Sequence, residues 1–170
     1  MLTVQRLADD CSLELSAGAA GAEQPIRWVH ISELDDPTPW LSGGELLLTT
    51  GIQLKGAAKQ RRFVDLLADH GVAALGLGTG FEHKRVPKAL RDEAEKRGMP
   101  LLEVPYEMPF IAITERAFAA LVNEQYAVLE RGTQVHEQLE RLVIEGRGLA
   151  DVLASLATAI GGAAIVQDAS

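Results

Sequence analysis

From residue 45 to residue 105, buried-strand and helix patterns take turns, and this alternation constrains the fold more than any other feature. ELLLTT (45–50) puts three leucines on consecutive positions, the pattern of a strand covered on both faces. AAKQRRFVDLLADHG (57–71) has helical spacing, with Phe63, Leu66, Leu67 and His70 on one face and Gly71 as its stop. VAALGLG (72–78) is a second buried strand. VPKALRDEAEKRG (86–98) is a second helix, with Pro87 suited to the first turn and Gly98 just past the end. PLLEVP (100–105) is a third strand, closed by Pro105. This order predicts an α/β fold, a mostly parallel sheet with flanking helices and right-handed crossovers.

Upstream, Thr3 suits the cap of a short helix over 4–10, and Leu13 and Leu15 alternate as in a short strand. IRWVHIS alternates too, with Ile26, Trp28 and His30 on one face and Arg27, Val29 and Ile31 on the other. ELDDPTPWLSGG is a loop broken by Pro37, Pro39 and Gly43-Gly44. Downstream of Pro109 the pattern becomes one long C-terminal helix. Phe118, Leu121, Gln125, Val128, Gly132, Val135, Leu139 and Leu142 recur at spacings of three and four, a heptad seam. That seam reads either as a helix packed on its own domain or as a dimer helix, and Gln125 and Gly132 weaken it. GLADVLASLATAIGGAAIVQDAS then resembles the opening of another domain, a helix, a Gly-Gly turn and a strand AAIVQD. One helix and one strand cannot bury a core, so 147–170 reads as the start of a truncated second domain.

Charge narrows the function. The formal net charge is −8, which repels a phosphate backbone, and Lys84-Arg85 and Arg61-Arg62 are only pairs. Nucleic-acid binding by this stretch alone is therefore disfavoured. The single cysteine, Cys11, allows no internal disulfide, and it sits beside Asp9-Asp10, which disfavours a thiolate nucleophile. The first residues lack the build of a signal peptide, and no apolar stretch reaches bilayer length, so the expected location is the cytoplasm, with no membrane partner. His30, Glu33, Asp35 and Asp36 have no recognised metal register and read as a sheet residue followed by a solvated turn. GLGTGF matches neither the dinucleotide nor the P-loop pattern. No cofactor and no metal are expected.

In an open parallel sheet, ligands collect outside the carboxyl ends of the strands. Three segments are expected there: Thr49-Thr50-Gly51, Gly78-Thr79-Gly80, and Glu103 with Tyr106. Their hydroxyls, glycine-flanked N–H groups, carboxylate and phenol suit a small polar molecule. They include no acid–base pair or electrophile, so binding fits better than turnover. The alternative is that the threonines only cap their loops.

WLSGGELLLTTG, the GLGTG turn and RGMPLLEVPYEMPFIAITERAF together resemble the N-terminal domain of the purine-catabolism regulator (PucR-like) transcription factors, over roughly residues 2–122. The resemblance implies a sensory or regulatory module of a bacterial one-component regulator, not an enzyme. Together with the heptad seam it divides the chain into a PucR-like N-terminal regulatory domain (1–122), a linker and dimerisation helix (123–146) and the start of a second domain (147–170). The heptad seam predicts a homodimer and the strand-end loops a small-molecule effector, while the resemblance implies DNA contact only through a C-terminal domain absent from this chain. Two other readings stay open: a small-molecule enzyme using Glu103, His30 and Tyr106, and a ligand-free interaction domain. A looser likeness to the N-terminal domain of Mur ligases concerns the fold alone.

Overall fold

A computed structural model of the chain describes residues 1–146 and 148–165. Side chains are described at all of these except 125, 127–136, 138–139, 142–143 and 159–160. The chain divides into two compact units, Met1–Val122 and Asn123–Ser170.

The first unit is built on a mixed five-stranded sheet in the order β1-β5-β4-β3-β2. Its strands are β1 (Glu14–Ala17), β2 (Trp28–Ile31), β3 (Glu45–Thr49), β4 (Ala74–Gly78) and β5 (Leu101–Val104). β2, β3, β4 and β5 pair in parallel. β1 runs antiparallel to β5, with a register shift between Leu15 and Ala17. The sequence predicted the parallel part; nothing local in it reveals that β1 would close the far edge in the opposite sense.

Both faces of the sheet are covered, which is why every residue of β3 and β4 is buried. Leu46 and Leu48 of β3, with Leu102 and Val104 of β5, pack against α1 (Val4–Cys11) and the first turns of α4 (Phe110–Ile144) through Val4, Leu7, Ile113 and Ala117. Leu47, Leu75, Leu77 and Leu101 face α2 (Ala57–Asp69) and α3 (Lys88–Arg97), meeting Phe63, Val64, Leu67 and Leu90. Each fully buried leucine contributes about 2 kcal/mol relative to leaving it in water.

The helices start and stop for local reasons. The Thr3 hydroxyl accepts from the Arg6 N–H at 3.3 Å, and Val4, Leu7, Ala8 and Cys11 fall at helical spacing on the buried side. Gly98 ends α3 in the left-handed conformation. Pro87 sits at the cap of α3 rather than in its first turn. The buried face of α2 is Gln60, Phe63, Val64 and Leu67; Leu66 is only half-buried, and the His70 ring donates to the Leu41 carbonyl at 3.0 Å. On β2 the expected alternation fails at its start. Ile26 precedes the strand and joins Val29 in one core cluster, while Trp28 is 53% exposed.

In the second unit, α4 carries the chain to Ile144, and α5 (Leu149–Ile160) is the last helix of the described chain, ending on left-handed Gly161. The seam positions Gln125, Val128, Gly132, Val135, Leu139 and Leu142 lie outside the residues whose side chains are described. Of the expected strand AAIVQD, residues 163–165 are not in a strand, and 166–168 lie outside the described residues.

Candidate functional site

The parallel strands end together, and a cavity of about 350 Å³ opens beside them. Thr50, Gly78, Phe81, Tyr106 and Phe110 line it, together with the Val104-Pro105 end of β5. Three of the eight predicted site residues, Thr50, Gly78 and Tyr106, therefore meet around one space. Gly78 lets Phe110 come close: a Cβ there would stand 3.0 Å from Phe110 Cζ, and the ring would have to give way. Tyr106 is 62% exposed and its ring leans on Phe81, with centroids 4.9 Å apart. The wall is mostly apolar, with the three rings Phe81, Tyr106 and Phe110, which the hydroxyl-rich set read from the sequence did not anticipate.

Of the other five predicted residues, four serve the frame around this cavity and Glu103 lies away from it. Thr49 is fully buried and its hydroxyl is engaged three times: it donates to Glu33 Oε2 at 2.9 Å and accepts from the Gly51 N–H at 3.1 Å and Gln53 Nε2 at 3.3 Å. Gly51 has φ +72 and its carbonyl accepts from His83 Nε2 at 3.1 Å, which places that ring's proton on Nε2. The Thr79 N–H donates to the Val104 carbonyl at 2.8 Å, tying the β4 end to β5. Gly80, at φ +89, lets its backbone pass Tyr106, whose Cβ would lie 2.8 Å from an added methyl. Glu103 alternates with Leu102 and Val104, so it projects to the α2/α3 face, opposite Glu14 of β1, and is not among the residues around the cavity.

Sequence reasoning missed Glu33. The sequence places it in a solvated turn, yet it accepts from the Thr49 hydroxyl through Oε2 and from the Thr50 N–H through Oε1 at 2.7 Å. Its neighbours in that turn are also engaged: Asp35 pairs with Lys59 at 2.7 Å, and Asp36 accepts from the Thr38 hydroxyl and N–H. No spacing signal marks a loop carboxylate as a strand-end clamp. His30 and Glu103 lie on strands separated by two others, roughly 14 Å apart at ordinary strand spacing. That distance is too great for a direct acid–base pair.

The strand-end cavity, the sheet and the start of α4 all fall within one family domain. Residues 2–121 match the purine catabolism regulatory protein-like family. The chain belongs to that family. It is 34% identical to the transcriptional activator PmfR of Paenarthrobacter nicotinovorans over 131 residues, covering 74% of this chain and 27% of that protein. It is 25% identical to the purine catabolism regulatory protein of Bacillus subtilis (strain 168) over 154 residues, covering 90% of this chain and 29% of that protein. The alignments thus span less than a third of either relative. Among the described residues of this family member, no helix is long and apolar enough to cross a membrane, and no three His, Cys, Asp or Glu side chains are grouped to hold a metal ion.

Proposed function

We propose that this chain is the regulatory part of a bacterial transcription regulator and that the strand-end cavity receives a small effector. One observation carries the reading: Phe110, the first residue of α4, is a wall of the cavity formed by Thr50, Gly78 and Tyr106. A molecule seated there touches the start of the helix that bears the heptad seam. Occupancy would shift how that helix pairs with its copy in a homodimer, because helix pairs have alternative registers and crossing states. Residues 123–146 then act as the dimerisation linker, 147–170 open the next domain, and DNA is contacted by a segment outside this chain. Regulation in the cytoplasm, rather than turnover, fits the family and the separation of His30 from Glu103.

The test has two arms. Sedimentation of the 170-residue chain should give a dimer, and Leu139→Lys, in the seam, should give a monomer of unchanged helicity. A thermal-shift screen of purines, ureides, amino acids and nucleotides should find a ligand that raises Tm with the logarithm of its excess over Kd, and Tyr106→Ala should remove that shift. A monomeric parent chain sinks the dimer arm. A second reading, a ligand-free interaction domain, is favoured by the complete engagement of the Thr49 hydroxyl within the protein. A screen without any hit sensitive to Tyr106→Ala or Thr50→Val would support it.

A further inference from the structure

Two carboxylates of the first unit are more than nine-tenths buried, Glu45 and Glu93. Glu93 is matched by Lys96 at 2.6 Å. Glu45 is not matched. Its Oε1 accepts from the Ser42 N–H at 2.8 Å, while its Oε2 is shut from solvent without a hydrogen-bond partner. A buried carboxylate oxygen left in this way is costly unless something donates to it.

Glu45 borders a cavity of about 450 Å³ at the β2 edge of the sheet, and Arg27, Trp28, His30 and Trp40 border it too. Trp28 is the register partner of Glu45, and Trp28 and Trp40 remain 53% and 66% exposed. Arg27 is fixed at this cavity by its backbone and its stem. Its N–H donates to the Gly44 carbonyl at 2.8 Å, and its side chain crosses Gly44 so closely that a Cβ there would lie 2.6 Å from Arg27 Cδ. Among the described residues, no ion pair or hydrogen bond joins the Arg27 guanidinium to Glu45. One cavity is thus bordered by a carboxyl group with one unpartnered oxygen, two tryptophans and an arginine.

We propose that this cavity binds a small zwitterion of the amino-acid class. The ammonium of the ligand donates to the Glu45 carboxylate, whose Oε2 turns from its solvent-shielded position toward the cavity to accept it. The carboxylate meets the Arg27 guanidinium, whose planar donors suit it. A simple amine would satisfy Glu45 but meet repulsion from Arg27; a simple carboxylate would do the reverse. Trp28 and Glu45 open β2 and β3, whereas Thr50 follows β3 and Gly78 closes β4. This site therefore lies at the opposite ends of the parallel strands from the effector cavity proposed above and does not depend on it.

Calorimetric titration of the 170-residue chain tests the assignment, with glycine, L-alanine and L-leucine as probes. N-acetyl-L-alanine lacks the ammonium, and L-alanine methyl ester lacks the carboxylate. At least one free amino acid should bind, the acetylated form should not, and the ester should bind about tenfold more weakly. Glu45→Gln should weaken amino-acid binding by about tenfold, Arg27→Ala should weaken the free acid but not the ester, and Thr50→Val should change neither. Trp40→Ala, at an exposed position, supplies a variant expected to fold normally and bind more weakly. Absence of binding by all three amino acids overturns the proposal. So does wild-type affinity in Glu45→Gln, or loss of binding in Thr50→Val. Should Glu45→Gln not fold, unchanged affinity in both Arg27→Ala and Trp40→Ala overturns it.

Discussion

Glu33 holds the end of β3 from outside the sheet: its Oε2 accepts the buried Thr49 hydroxyl at 2.9 Å while its Oε1 accepts the next backbone N–H at 2.7 Å. Removing the carboxylate takes away two charge-assisted bonds at once. Glu33→Ala should lower stability by about 1–2 kcal/mol, read as a lower urea midpoint with an unchanged slope. A midpoint equal to that of the parent would mean the bridge contributes nothing.

Gly18 and Gly56 both have positive φ, at +71 and +87, but differ in their surroundings. A Cβ on Gly18 would lie 2.0 Å from the Met99 carbonyl oxygen, and one on Gly56 would meet nothing within 4 Å. Gly56→Ala should therefore cost only the left-handed backbone penalty, about 1–2 kcal/mol. Gly18→Ala adds a clash with backbone and should cost about 3 kcal/mol or more. Equal losses in urea unfolding would refute the distinction.

Burial pushes the Cys11 thiol above its ordinary value; Arg116 pulls it partly back and Asp10 adds a smaller upward push. The side chain is also sealed beneath α1. Its reaction with a disulfide reagent at neutral pH should be about a hundredfold slower in the native protein than in denaturant. Fast native labelling would show that α1 opens readily.

The Asp36 carboxyl is held below its ordinary value, first by the Thr38 hydroxyl at 2.6 Å and then by the Thr38 N–H at 3.0 Å. A lowered folded value means that the contact supports the fold above the ordinary aspartate value. That support is lost as pH falls through the folded value. Thr38→Ala should move the Asp36 titration, followed by NMR, upward toward the ordinary value. An unmoved titration would assign the shift to something other than the hydroxyl.

The central strands were legible because consecutive buried leucines, Leu46 to Leu48, leave few alternatives to a doubly covered strand. The strand-end crevice followed from that topology. Glu103 was misplaced for a recoverable reason: with Leu102 and Val104 on one face, alternation alone puts it on the other. Glu33 and Glu45 were not recoverable. A loop acid that clamps a strand sixteen residues later and a strand acid buried beside tryptophans look like any other surface carboxylate in a linear pattern. The partner of β1 was equally hidden, since the match of Leu15 to Leu102 exists only once the chain has folded.

That last pairing sets a timetable for synthesis. Within the first unit, α1 and β1 leave the ribosome before the other elements, yet the strand that β1 lies against, Leu101–Val104, is made near the end of that unit. At about 5–20 residues per second, the N-terminal segment waits on the order of ten seconds with its apolar side uncovered. Closure of the sheet is therefore a late event in which an early-made edge docks onto the last-made strand, and a nascent chain stalled before β5 would offer Leu2, Val4 and Leu7 to chaperones.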